Sequence, residues 1–356
     1  MIFQISHFKS QMLSAILAGT LFLIASVQPS VGAEDEQKQS VIVVAGAGGT
    51  PEYGPQFAQW AGLWEQAAAK GGARFASIGL EGIRQIDHPQ AALEAATLAS
   101  QAKTDRAALQ QMLARESQQS AAALWLIFIG HGTFDGRVAK FNLRGPDVSA
   151  NELAEWLRPF SGPLVVINTA SSSAPFLSVL SGPNRVIVTA TKSGFEQNYT
   201  RFGGYLAEAI AEPKADLDKD GQTSLLEAFL TASTRAAEFY AAEGRLATEH
   251  SLLDDNGDGL GTRPDWFRGV RPVQKAADGA SPDGYHAGQF HLIRSKAEDA
   301  MPLELRNRRD QLELEVIKLR DAKDSFPEDE YFSRLEKLLC DIARIYEQTD
   351  KAARGS

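Results

Sequence analysis

The chain has a single cysteine, Cys340, in 356 residues. An internal disulfide and a thiolate metal cluster are both excluded, so burial must hold the fold, together with any bound ions. Cationic side chains are also in short supply: 36 Lys and Arg stand against 45 Asp and Glu, for a net charge of −9. An acidic chain is poorly suited to nucleic-acid backbones and well suited to cations. No dinucleotide fingerprint is completed. Val41 to Ala45 reads as a buried strand followed by Gly46-Ala47-Gly48-Gly49, but Pro51, Tyr53, Gly54 and Pro55 stand where a phosphate-binding helix would begin. That glycine stretch reads as a tight loop at the crevice edge.

Long apolar runs are equally scarce. The longest is Met12 to Val27, after a weakly basic start at His7 and Lys9 and before the small-residue sequence Val31-Gly32-Ala33. The run falls short of the ~20 residues a membrane span needs. Residues 1–33 therefore read as a signal peptide, and the mature chain as exported, periplasmic or secreted, with no stable membrane insertion once the signal is removed.

What is present centres on Leu124-Trp125-Leu126-Ile127-Phe128-Ile129-Gly130-His131-Gly132. An unbroken apolar run that stops at glycine is the pattern of a strand buried on both faces. Leu164 to Asn168 and Arg185 to Thr191 repeat the pattern, with helical stretches between. Ser149 and Glu152 form a capping box for one of those helices. The implied fold is α/β, a doubly wound and mostly parallel sheet with flanking helices. His131 falls just past a strand's carboxyl end, where such sheets place their ligand crevice.

Two acidic loops follow. Asp216, Asp218, Asp220, Gly221 and Glu227 meet every fixed position of an EF-hand loop. A Ca²⁺ ion there would take the carboxylates, the Gln222 carbonyl, Ser224 through a water, and Glu227 as a two-oxygen closer. A second loop offers Asp254, Asn256, Asp258, the Leu260 carbonyl and Asp265. The loops flank one helix, so pinning that helix to the sheet is the expected role. Residues 271–296, rich in Gly, Ala, Asp and Pro, read as a linker. Residues 297–350 read as a helical hairpin, with Leu305, Leu312 and Leu319 at sevens and Leu335, Leu338, Leu339, Ile342 and Ile345 at threes and fours. The hairpin either projects as a coiled-coil arm that recruits a partner or packs back on its own domain. Cys340 lies on its apolar stripe and is expected in the core.

The strand ending in His131-Gly132 and the next ending in Ala170-Ser171 resemble the caspase, metacaspase and legumain superfamily of cysteine peptidases, most closely its bacterial legumain-like branch. The resemblance covers residues 41 to 267. It includes the capped helix between the strands, Thr189-Ala190-Thr191, and Arg201-Phe202-Gly203-Gly204-Tyr205-Leu206 followed by an acidic loop. It implies a caspase-like domain over 34–270, with His131 as the catalytic histidine and Gly132 as the oxyanion glycine. This chain departs from the pattern at the nucleophile, where Ser171 replaces cysteine. A thiol is partly ionised near neutral pH; a serine hydroxyl needs a hydrogen-bonded base, itself held by a third group. Two functions follow. One is a non-cleaving scaffold that binds a peptide or protein segment in the crevice. The alternative is a hydrolase using a Ser171–His131 dyad. Asp135 is near the histidine in sequence, but Asp135-Gly136 reads as a turn.

Overall fold

The computed structural model describes residues 38–80, 85–86, 104–119, 122–277 and 281–355. The expected signal peptide lies outside the described residues.

In chain order the elements are β1 (Ser40–Ala45), α1 (Tyr53–Lys70), β2 (Arg74–Ile78), β3 (Gln85–Ile86), α2 (Asp105–Gln119) and β4 (Leu124–Ile129). A small antiparallel ribbon follows: β5 (Gly132–Phe134), β6 (Ala139–Phe141) and β7 (Val148–Ser149). Then come α3 (Ala150–Leu157), β8 (Leu164–Asn168), α4 (Ala174–Leu180), β9 (Arg185–Thr189), α5 (Phe202–Ala209), α6 (Leu225–Ala242) and β10 (Leu252–Asp254). The hairpin β11 (Phe267–Arg268) and β12 (Arg271–Pro272) precedes α7 (Lys296–Ala300), α8 (Leu303–Asp321) and α9 (Glu328–Gly355).

The main sheet runs β10-β9-β8-β4-β1-β2-β3. β1, β2, β4, β8 and β9 are mutually parallel, and the edges β3 and β10 are antiparallel. This is the mixed, doubly wound α/β sheet that the apolar runs imply. Side chains alternate along each strand, so the runs split between two cores. Val41, Val43, Trp125, Ile127 and Ile129 pack with Trp60 and Trp64 of α1, Phe202 of α5 and Phe229 of α6. Ile42, Val44, Leu126 and Phe128 pack on the other face with Leu109 of α2, Leu153 of α3 and Phe176 of α4. Each such side chain contributes roughly 1.5–3 kcal/mol by leaving water. Every residue of β4 is buried, which explains its lack of polar alternation.

The chain winds one way from β1 to β2 and the other way from β4 to β8 and β9. The topological switch point therefore lies between β1 and β4, and His131 follows β4 there.

Two expectations are corrected, and one alternative is decided. Residues 281–293 are not a loose linker: Asp283, Ala287 and Leu292 are buried. The buried carboxylate of Asp283 accepts the backbone N–H groups of Asp255 and Asn256 at 3.0 and 3.2 Å. Asp255 in turn accepts from Gly284 and Ala287. Cys340 is exposed, not core. It sits two residues, about 200° round the helix, from Leu338, which packs against Leu312 and Ile345 with Ile342. The hairpin is tied back to the domain at its base: Gln289 Nε2 donates to the Asp310 carbonyl and Arg309 pairs with buried Glu298. Among the described residues no helix is long and apolar enough to cross a membrane.

Candidate functional site

β4 and β8 are neighbours in parallel register, Leu124 beside Leu164 through Phe128 beside Asn168. Their carboxyl ends deliver His131-Gly132 and Ala170-Ser171 side by side. Gly132 approaches Ser171 so closely that a Cβ there would lie 2.3 Å from the Ser171 carbonyl oxygen. Only glycine fits.

The ribbon geometry fixes what Gly132 offers. Gly132 faces Phe141 across β5–β6, and the Asn142 N–H bonds to the His131 carbonyl at 3.0 Å. Gly132 thus occupies a non-hydrogen-bonded position of the ladder, with its own N–H and C=O turned away from β6. Both are taken by one side chain. The Gly132 N–H donates to Ser171 Oγ at 3.1 Å, and the Ser171 hydroxyl donates to the Gly132 carbonyl at 3.1 Å.

His131 is engaged elsewhere. Its Nε2 faces the Gly48 carbonyl at 3.3 Å, in the glycine loop after β1. Its ring stands edge-on to Tyr53 at 4.8 Å and Phe57 at 5.4 Å, with Tyr199 at 6.3 Å. Tyr199 hydrogen-bonds Gln56, and burial pushes its phenol pKa up. The half-buried histidine thus packs within a cluster of aromatic rings. Among the described residues no hydrogen bond joins His131 to Ser171, and no carboxylate stands behind the ring. Asp135 is the turn residue expected, its Oδ1 accepting from Arg137 and Val138.

The three serines after β8 are 3%, 1% and 0% exposed in order. Ser172 has a left-handed backbone, φ 54°, and its buried hydroxyl has no partner among the described residues. Such a conformation costs of order 1–3 kcal/mol and persists only where the surroundings enforce it. The enforcing contact is the Ser172 N–H to the Glu196 carbonyl at 2.8 Å. Glu196 is anchored by His250 Nδ1 at 2.5 Å and by the Lys192 N–H at 2.9 Å. Loops from the two strands flanking β8 also meet. Phe134 and Phe195 stack edge to face at 5.3 Å, with Phe195 72% exposed. Ser173 is locked to Thr191.

The Arg201–Leu206 run positions α5 against this end of the sheet. A Cβ on Gly203 would strike Thr169 at 2.7 Å, and one on Gly204 the Trp60 ring at 2.7 Å. Glu249 caps the helix, accepting from the Arg201 and Phe202 N–H groups. Burial raises its pKa, and those bonds oppose the rise.

In the first acidic loop, oxygens of Asp216, Asp218 and Glu227 lie within 4.8 Å of one another. Burial and the charges of Glu227 and Asp220 raise the Asp218 pKa. Gly221, at φ 93°, makes the turn, and its N–H donates to Asp216. Asp220 is turned toward Gln222, and Ser224 caps α6 in a box with Glu227. This donor set, three convergent carboxylates in a short turn, fits a hard cation. The second loop departs from expectation. Pro264 opens a 3₁₀ turn, and Asp265 pairs with Arg263 at 2.8 Å. Asp254 and Asp258 accept backbone N–H groups of Gly257, Gly259 and Leu260, and exposed Leu260 ends that turn. The loop backbone is held instead by Asp283, whose carboxyl pKa is pushed up by burial and then by the Asp255 charge.

Sequence reading missed the Glu196–His250 anchor, the Phe134–Phe195 contact and the aromatic cluster. Their partners lie tens of residues apart, and no local spacing marks them. The left-handed Ser172 had no signal, since serine is not a residue that conformation favours.

No family model matches the sequence, and no curated protein matches it. Among solved structures the chain is similar to caspase-1 from Spodoptera frugiperda, with a TM-score of 0.40 and 8% identity, covering 62% of this chain and 87% of that one. It is also similar to a secreted C11 cysteine protease from Bacteroides thetaiotaomicron, with a TM-score of 0.36 and 10% identity, covering 62% of this chain and 66% of that one. The same protease in complex with an irreversible peptide inhibitor gives a TM-score of 0.36 and 8% identity, over 61% and 66% of the two chains.

Proposed function

We propose that this chain is an exported, calcium-stabilised, caspase-like scaffold that binds an extended peptide or protein segment in the His131 crevice without cleaving it. One observation carries the reading. The Ser171 hydroxyl gives its proton to the Gly132 carbonyl and accepts the Gly132 N–H, while the His131 Nε2 faces Gly48. Serine catalysis needs that proton on a histidine, and an acyl-transfer site needs a backbone N–H free for the oxyanion. Here the N–H that would serve is bonded to the would-be nucleophile. The caspase-like assignment is supported by the order of the motifs and by the neighbouring positions of His131 and Ser171 at the ends of β4 and β8.

Two half-buried tyrosines, Tyr53 and Tyr199, backed by the buried ring of Phe57, offer aromatic surface for a peptide at the switch point of the sheet. Calcium at Asp216, Asp218 and Glu227 would pin the start of α6 through the Ser224–Glu227 box. The ion would supply charge neutralisation there and take no part in chemistry.

The alternative, a Ser171–His131 hydrolase, lacks its defining hydrogen bond. Labelling the purified protein with a serine-reactive phosphonate, beside a Ser171→Ala control, tests the choice. No label at Ser171, together with saturable binding of peptides that Tyr53→Ala weakens, is expected. A stoichiometric label that disappears in Ser171→Ala would overturn the scaffold reading.

A further inference from the structure

The loop that follows β9 crosses the carboxyl ends of β8 and β4 as a strap. Both of its ends are fixed. At the start, the Thr191 N–H donates to Ser173 Oγ at 3.2 Å. At the finish, Thr200 hydrogen-bonds the Thr169 carbonyl and the Arg201 N–H donates to Glu249 at 2.9 Å. Between the ends, Lys192, Phe195, Gln197 and Asn198 are exposed, while the Glu196 side chain turns inward and is 14% exposed. The strap reaches Phe134 through Phe195 and Tyr53, at 4.7 Å, through Tyr199. Beneath it lie Ser171, Ser172 and Ser173, all buried.

The middle of the strap is held at one residue. The Glu196 carbonyl takes the Ser172 N–H at 2.8 Å, and the Glu196 carboxylate lies 2.5 Å from His250 Nδ1. His250 is a fixed post. The residues on either side of it are buried: Glu249 caps α5, and the Ser251 hydroxyl meets that of Ser233 in α6 at 2.7 Å. The other partner of the Glu196 carboxylate among the described residues is the Lys192 N–H, which belongs to the strap and moves with it. The imidazole contact is therefore what ties this carboxylate to the body of the domain. A hydrogen bond to a carboxylate is roughly twice as strong as one between neutral groups. The His250 ring is 33% exposed, so the tie sits where solvent can reach it.

We propose that His250 is a positioning residue: through Glu196 it latches the strap shut over Ser171 and Ser172, and the crevice floor opens only when that latch lets go. A segment held by few bonds opens locally at a cost set by those bonds, well below the cost of unfolding the sheet. A ligand that needs the floor then binds with its affinity reduced by the fraction of chains whose strap is open. That consequence rests on the crevice being a binding site. The latch itself does not, because it is tested with no ligand present.

Residue-resolved hydrogen exchange on the full chain tests it, with the amides of β1 and β4 as the internal standard for the fold. In His250→Leu the Ser172 amide should exchange about tenfold faster or more, with β1 and β4 unchanged. His250→Gln keeps an N–H that can reach Glu196 and should restore most of the protection. Glu196→Ala should lose it, and adding His250→Leu to that variant should change nothing further, because both break one bond. If His250→Leu does not fold, Glu196→Ala carries the same comparison. A second readout is alkylation by iodoacetamide at position 171 in a Ser171→Cys, Cys340→Ser chain, which should quicken by a similar factor when His250→Leu is added. The proposal is overturned by unchanged Ser172 exchange in folded His250→Leu, by equal loss of protection in His250→Gln, or by alkylation at position 171 that ignores His250. Faster exchange extending through β1 and β4 would overturn it too, making His250 a support of the whole sheet.

Discussion

Replacing Ser171 by alanine separates a structural serine from a catalytic one. The Ser171 hydroxyl is both acceptor and donor to Gly132, at 3.1 Å each way, and the residue is 3% exposed. Alanine keeps the Cβ and leaves little void, so the cost lies in hydrogen bonding. The Gly132 N–H and C=O point away from the β5–β6 ladder and would lose the partner each has in Ser171. Both groups are half-buried, and losing two hydrogen bonds at a net of about 1 kcal/mol each makes ~2 kcal/mol the expected loss. For a body of this size, each kcal/mol lowers the melting temperature by roughly 2 °C, so a drop of about 4 °C follows. Differential scanning calorimetry measures it, and hydrogen exchange at the Gly132 amide should quicken in parallel. A serine poised for nucleophilic attack behaves oppositely, because removing a strained catalytic group is neutral or stabilising. Ser171→Ala melting at or above the parent would refute the argument for a serine held by Gly132.

Three further outcomes are expected. Chelation should lower the melting temperature, because four carboxylates in the 216–227 loop repel one another without a cation, and an ion at about 100 times its dissociation constant stabilises by roughly 2.7 kcal/mol; Asp216→Ala with Glu227→Ala should remove the difference, and identical scans of the parent with and without chelator, with no calcium in the purified sample, would sink the idea. Phe195→Ala should open the contact with Phe134 and speed backbone exchange at Ser171 and Ser172, an effect that unchanged exchange would exclude. Acid should weaken the α3 cap: Arg106 and then Ser149 hold Glu152 down from 4.5 to about 2, so its contribution is complete above about 4.5 and is lost as pH falls through about 2. Glu152 is 42% exposed, which makes the effect small, and Glu152→Gln should flatten the parent's stability profile in that window.

The sequence by itself determined the layered sheet. An apolar run such as Leu124–Ile129 can be satisfied only by burial on both faces, and the helical stretches between such runs supply the two layers. Local hydrogen bonding was legible for the same reason: the Ser149–Glu152 box and the Asp135 turn need only neighbours a few residues away. The first acidic loop was legible because its fixed positions fall within twelve residues. What the chain does with His131 and Ser171 was decided only in three dimensions. Their juxtaposition follows from strand order, but the direction of each hydrogen bond follows from the ladder position of Gly132, and that depends on the register of β5 against β6. The same holds for the second loop, where Asp265 pairs with Arg263 and the buried Asp283, from another segment, accepts the backbone N–H groups of Asp255 and Asn256. Composition made 271–296 read as a linker, yet burial depends on what a segment meets, and Asp283, Ala287 and Leu292 are buried. Cys340 shows the limit most simply: it shares a stripe with Leu338 in sequence, and the 3.6-residue turn sets it on the opposite side of the helix.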